Sequence, residues 1–133
     1  MATAPFLGEM RHFAFDFAPR GWSQCNGQLL PIAQNQALFS LLGTTYGGNG
    51  QTTFALPDLR TRVAIGFSNT QPLGAASGIE DPGAASAINS VTLKRGLETQ
   101  TVARAAYTPR SNRQPALTLN TCIALQGIFP SRN

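Results

Sequence analysis

Residues 43–62 constrain this chain more than any other segment. They read Gly-Thr-Thr-Tyr-Gly-Gly-Asn-Gly-Gln-Thr-Thr-Phe-Ala-Leu-Pro-Asp-Leu-Arg-Thr-Arg, with four glycines in the eight residues from Gly43 to Gly50. Glycine permits positive φ and close backbone approach. A compact apolar knot follows, Phe54, Leu56 and Leu59, closed by Pro57-Asp58. Pro57 fixes one φ and biases Leu56 to an extended conformation, and Asp58 can accept hydrogen bonds from nearby backbone donors. The expectation is a defined, non-repetitive loop pinned by its own apolar side chains. By composition it is a shaped surface feature, not a catalytic motif.

The rest of the chain reads as mainly β. Residues 10–17 alternate, with Phe13, Phe15 and Phe17 on one face and His12, Ala14 and Asp16 on the other, the period of a half-buried strand. Asn26-Gly27 suits a two-residue hairpin turn, so residues 22–32 read as a hairpin. Asn35 is placed to cap a helix over 36–42, whose Ala37, Leu38, Leu41 and Leu42 form an apolar stripe ending at Gly43. Residues 63–67 read as another strand. Residues 68–90 are rich in Gly, Ala, Ser, Asn and Pro and read as a long loop or arm. Strand character returns over 90–97 and 99–107, and residues 108–115 are polar and turn-rich. Residues 116–129 alternate and then become continuously apolar at Ile123-Ala124-Leu125, as a strand buried on both faces does. The fold class expected is a small α+β domain, predominantly β, with one short helix, long loops and pairings between the two chain ends. No internal repeat is visible.

Composition excludes several function classes. At 133 residues the chain is one domain's worth. Apolar content is ordinary at 42%, but charged residues are only 12%, about half the usual globular share. Low charge with normal hydrophobicity argues against disorder and for a surface covered by copies of the chain or by neighbours. The net charge of +4 comes from ten basic residues, nine of them Arg. They are scattered along the chain without aromatic interleaving, whereas nucleic-acid binders cluster them. No apolar run approaches the ~20 residues of a membrane span. The start, Met1-Ala2-Thr3-Ala4-Pro5-Phe6, has neither a basic n-region nor an apolar h-region, so a signal peptide is not expected. Cys25 and Cys122 lack CxxC spacing and read as buried free thiols in a cytoplasm-made protein, with a disulfide as the alternative.

Catalytic constellations are lacking. His12 is the only histidine, and Glu80-Asp81 are adjacent acids that point different ways along a loop. Glycosidases need two carboxylates about 5–10 Å apart, and no such pair is marked among Glu9, Asp16, Asp58, Glu80, Asp81 and Glu98. Gly47-Gly48-Asn49-Gly50 is no phosphate cradle, because the helix precedes the glycines and no Lys follows. A binding surface remains. Its candidates are Thr44, Thr45, Tyr46, Asn49, Gln51 and Thr52 in the glycine loop, the 68–90 loop, and Arg110 and Arg113 near Tyr107. Tyr with Asn, Gln and Thr suits stacking on and hydrogen-bonding a sugar or polar surface. The same residues equally suit closing turns and contacting a neighbouring subunit. Trp22 and the 54–59 knot read as core.

Gly8-Glu9-Met10-Arg11, Phe17-Ala18-Pro19-Arg20-Gly21-Trp22, Cys25-Asn26-Gly27-Gln28-Leu29-Leu30-Pro31-Ile32, Ala37-Leu38-Phe39-Ser40-Leu41-Leu42-Gly43 and the glycine loop occur in one order. Gln114-Pro115 and the final residues 123–133, Ile-Ala-Leu-Gln-Gly-Ile-Phe-Pro-Ser-Arg-Asn, complete the set. Over residues 6–67 and 112–133 the chain resembles the phage tail collar domain family, whose members include microcystin-dependent proteins and tail fibre proteins. The resemblance implies a single domain over 1–133, with residues 68–111 as a divergent loop or arm between two matching blocks. It also implies a structural and adhesive subunit of a phage tail or phage-derived particle. Such a subunit is a non-enzymatic tail fibre, collar or tip protein contributing to assembly and host attachment. Partners would be itself as an intertwined homotrimer, other tail proteins, and host surface polysaccharide. The alternatives are a stand-alone carbohydrate-binding module and, behind it, a polysaccharide hydrolase. Many family members carry a His-x-His element that holds a metal on a threefold axis. Here the lead-in Ser90-Val91-Thr92-Leu93 continues as Lys94-Arg95-Gly96-Leu97-Glu98-Thr99. The His pair is missing, and neither a metal nor another cofactor is expected.

Overall fold

The computed structural model describes residues 4–78, 90–95, 98–103 and 114–132. The chain forms two compact units: Met1–Ala76 with Leu117–Asn133, and Ser77–Ala116.

In the first unit the order is β1 (Met10–Phe13), β2 (Trp22–Gln24), β3 (Leu29–Pro31), a 3-10 turn (Ile32–Gln34), α1 (Gln36–Leu42) and β4 (Thr53–Ala55). The second unit contributes an antiparallel hairpin of β5 (Ser90–Arg95) and β6 (Glu98–Ala103), in register from Ser90 opposite Ala103 to Arg95 opposite Glu98. The chain returns to the first unit with β7 (Asn120–Ala124). The fold is mostly antiparallel β with one short helix, as the periodicities indicate.

β7 is the structural centre. It lies between β1 and β2, antiparallel to both, with Met10 opposite Ile123 and Trp22 opposite Ala124. A middle strand saturates both edges with ladder bonds, so it suits apolar side chains on both faces, and Cys122, Ile123 and Ala124 are fully buried. The chain ends meet beside it: Phe6 bridges Ile128, and the Leu7 amide donates to the Ile128 carbonyl at 2.8 Å. The core gathers Leu7, Cys25, Leu38, Phe54, Leu56 and Ile123. α1 brings Leu38 to it and flanks it with Phe39, Leu41 and Leu42. The Gly43 amide closes the helix on the Phe39 carbonyl at 2.7 Å. Asn35 stands at the helix start without a side-chain cap bond; its Nδ2 donates to the Pro31 carbonyl instead.

Four expectations need correction. The strand expected over 10–17 stops at Phe13, opposite Asn120, the first residue of β7. Beyond that point there is no neighbouring strand among the described residues, and side chains satisfy the carbonyls: Gln24 donates to Asp16 and Asn120 to Phe17. The phenylalanine stripe persists without the strand, with ring centroids 5.0 Å apart for Phe13–Phe15 and 4.6 Å for Phe15–Phe17. Phe15 and Phe17 are exposed.

The hairpin expected over 22–32 does not form. β2 pairs with β7, and β3 pairs with β4. A two-residue turn of that kind needs positive φ at both central residues, and only Gly27 has it, at 72°. The backbone here is drawn to distant partners: the Cys25 amide donates to Thr121, Gly27 to Pro57, and Leu59 back to Cys25.

Residues 63–67 are not a strand, and Val63, Ile65 and Phe67 are 79%, 65% and 75% exposed. No strand of the chain runs beside them among the described residues. Lastly, the strand read over 116–129 is confined to Asn120–Ala124; Ile123 and Ala124 are buried within their own chain, and Ile128 and Phe129 are an exposed pair near the end.

Candidate functional site

The glycine loop is built on three fixed points. α1 ends at its start, β4 begins at its end, and the core holds Phe54 and Leu56 immediately beyond. Leu59 packs against the same cluster, so the 54–59 knot is core, as expected. The loop is therefore pinned by the whole core and not by its own side chains alone. Within it Gly47 donates to the Thr44 carbonyl at 3.1 Å and accepts from Ala55 at 3.0 Å, while Gly50 donates to the Thr53 carbonyl at 3.0 Å.

Asn49 organises the tip. Its Oδ1 accepts the backbone N–H groups of Gln51, Thr52 and Thr53 at 2.9, 2.9 and 3.0 Å. Its Nδ2 donates to Thr52 Oγ1 at 2.9 Å. The side chain is spent on holding the loop, in the manner of an extended Asx turn. Around this frame Thr44, Thr45, Gln51 and Thr52 are exposed and Tyr46 is half-buried. Burial raises the Tyr46 phenol above its ordinary pKa, with the Cys25 thiol adding to the effect, so the hydroxyl stays a neutral donor and acceptor.

Part of the 68–90 loop reaches the same place. Gly74 sits against Thr45 so closely that a Cβ there would lie 2.6 Å from the Thr45 carbonyl oxygen. Two small turns hold this segment, Ser68 donating to Gln71 at 2.8 Å and Ala75 to Pro72 at 3.0 Å. The structure thus brings together Thr44, Thr45, Tyr46, Asn49 and Gln51, and adds residues 68–75. Tyr107, Arg110 and Arg113 lie outside the described residues, as do Glu80 and Asp81.

A second exposed feature is aromatic. Trp22, expected in the core, is half-buried. Its ring meets Phe13 edge-on at 5.4 Å, and the Arg11 guanidinium lies over it at 5.5 Å. The alternation of Phe13, Phe15 and Phe17 is the sequence signal for this stack, and it fits a half-buried strand equally well. His12 is satisfied structurally, with Nδ1 2.8 Å from Thr121 Oγ1 across the β1–β7 pair. Asp58 forms a two-pronged pair with Arg60, at 2.9 and 2.8 Å, and accepts the Arg60 amide. These contacts hold its carboxyl at about 2. Cys25 and Cys122 are buried free thiols. Among the described residues no group of three or more His, Cys, Asp or Glu is placed to hold a metal ion. No helix among them is long and apolar enough to cross a membrane.

This arrangement, a glycine loop between a helix closed by Gly43 and a buried Phe-Ala-Leu-Pro segment followed by exposed Asp58, falls within residues 8–64, which match the family model for the Phage Tail Collar Domain. Over these residues the chain is similar to the phage tail collar domain family. Among curated proteins none matches it. The collar match spans β1 to the first residues after the 54–59 knot, and so includes α1, the glycine loop and β4. The C-terminal strand β7 lies outside the matched residues yet completes the sheet on which β1 and β2 rest. The collar domain is a structural domain of phage tails, and the match suggests a structural role in a tail fibre.

Proposed function

We propose that this protein is a structural and adhesive subunit of a phage tail or phage-derived injection particle: a small tail fibre, collar or tip protein that contributes to assembly and host-surface attachment and has no enzymatic activity of its own. The carrying observation is the collar match over residues 8–64, and the surface supports it. Phe6, Phe15, Phe17, Leu29, Val63, Ile65, Phe67, Ile128 and Phe129 are all exposed on a chain with only 12% charged residues. A monomer free in water seldom leaves so much apolar surface uncovered.

In this reading the chain is a homotrimer that meets other tail proteins and resides in the virion tail or a phage-like particle. The rigid 44–53 loop, with Thr44, Thr45, Tyr46 and Gln51 outward, meets host polysaccharide or a neighbouring tail protein. Tyr107, Arg110 and Arg113, outside the described residues, are proposed as further contact residues on their chemistry alone. Imaging of intact particles tests the proposal: the chain should trace as a repeated subunit of the tail. Its absence from purified particles, with glycan binding by the isolated protein, would favour a stand-alone carbohydrate-binding module instead.

A further inference from the structure

Residues 63–67, Val-Ala-Ile-Gly-Phe, have the pattern of a strand and none of its partners. Val63, Ile65 and Phe67 alternate with Ala64 and Gly66 at a period of two, and the three large side chains are 79%, 65% and 75% exposed. The hydrogen bonds on either side belong to turns: the Arg62 amide reaches the Leu59 carbonyl, and the Ser68 amide reaches Gln71. Between them no backbone bond is made among the described residues.

The chain is also forced outward at the start of this segment. Thr61 has φ of 58°, the one non-glycine residue among those described with positive φ. A β-branched residue there is strained by roughly 1–3 kcal/mol. The strain falls where the chain leaves the core at Leu59 and runs out as an exposed, uncharged apolar ribbon.

We infer that residues 63–67 are an assembly strand, which pairs edge-to-edge with the sheet of a second copy of this chain. The inference rests on the homo-oligomer reading above and names the surface that makes it. An exposed apolar strand with unpaired N–H and C=O groups is a template for another chain, and left open it aggregates. The three side chains present apolar area on the order of 400 Å², against the ~800 Å² each partner gives a standard interface. Together with the strand backbone they supply a large share of what a stable contact needs. Residues 63–71 carry no charge, which suits an apolar neighbour and not an acidic or basic partner. The acceptor is β1. Among the described residues it is an edge strand, bonded to β7 on one side only, and the exposed Met10, Phe15 and Phe17 lie in it or just beyond it. The other edge, β2, is partly taken, because Gln28 Nε2 donates to the Gln24 carbonyl at 2.8 Å and to Ser23 Oγ at 2.6 Å. When each copy donates residues 63–67 and accepts a neighbour's on β1, the contact is head-to-tail, and a ring of such contacts leaves neither residues 63–67 nor β1 unpaired.

Two measurements on the full chain test this. Ile65→Asp changes an exposed side chain and leaves the core untouched. It should turn an assembly of several 14.1 kDa chains into a 14.1 kDa species by light scattering, with unchanged circular dichroism. In the wild-type assembly the amides of residues 64–67 should exchange with deuterium at least tenfold more slowly than in Ile65→Asp. A wild-type protein that is itself monomeric, an Ile65→Asp variant that keeps the wild-type mass, or freely exchanging 64–67 amides in the wild-type assembly would each overturn the inference. Detection of the chain in purified particles is scored separately. Its absence there would defeat the tail reading without touching the strand pairing, and its presence would not rescue the pairing.

Discussion

A side-chain carbon on Gly48 would lie 2.4 Å from the Cα of Phe54 and 2.7 Å from the Thr53 carbonyl oxygen. The glycine loop therefore presses backbone against backbone on the strand that carries the most deeply buried aromatic residue of the core. Loop shape and core packing are one structure at this point, and the first prediction follows from that contact.

Gly48→Ala should be severely destabilising, about 3 kcal/mol or more, because it adds a clash with backbone to a φ of 94°. Gly43→Ala is the control: φ is 56°, but nothing lies within 4 Å of the added carbon, so a loss of about 1 kcal/mol is expected. Thermal melts of the two variants should separate clearly. Equal melting temperatures would show that the loop yields at Gly48.

Asn49→Ala removes the acceptor of three backbone N–H groups. The site is exposed and water can replace part of the loss, so about 1–2 kcal/mol is expected, as for the loss of a helix cap. Asn49→Asp keeps Oδ1 and should lose less. If Asn49→Ala melts like wild type while abolishing attachment to host cells, Asn49 contacts a ligand and not the loop.

Phe54→Ala should cost about 3–5 kcal/mol, as for other fully buried phenylalanines, since Phe54 is wholly inaccessible and packs against Phe39 at 5.5 Å. Urea denaturation measures the difference. A small loss would mean that the core collapses readily around the site.

Alkaline pH should destabilise the fold through its thiols. Burial, with Cys122 adding to it, pushes Cys25 from 9.0 up to about 11, and Cys122 is raised as well by burial. In the unfolded chain these thiols ionise near 9, whereas in the folded chain Cys25 stays protonated to about 11. The contribution to stability is intact below pH 9 and is lost as pH rises from 9 to 11. Melting temperature should fall across that window, and Cys25→Ala should flatten the dependence. At pH 8 neither thiol should react with a thiol reagent until the protein unfolds.

How much of this was legible beforehand depends on the range of the interactions involved. α1 was, because its apolar stripe and its closing Gly43 are local. β7 was, because three consecutive apolar residues need burial on both faces wherever the strand is placed. The partners of β2 and β3 were not: Asn26-Gly27 is a local turn signal, and it lost to the hydrogen bonds with Thr121, Pro57 and Leu59, which no local pattern encodes. The alternation of Val63, Ile65 and Phe67 shows a readiness to pair but is silent on whether the partner belongs to the same chain. In the candidate surface, residue types marked the glycine loop as a shaped segment. They could not show that Asn49 turns inward, because that depends on three amides converging on one oxygen.

If this chain is a structural part of a phage tail or a related particle, as proposed, it must be found in the particle; that requirement can be measured. Quantitative mass spectrometry of purified particles tests it most directly. The chain should be present at a fixed ratio to the other tail proteins, in a copy number that is a multiple of three. A chain absent from particles and recovered only as a free 14.1 kDa protein would contradict it.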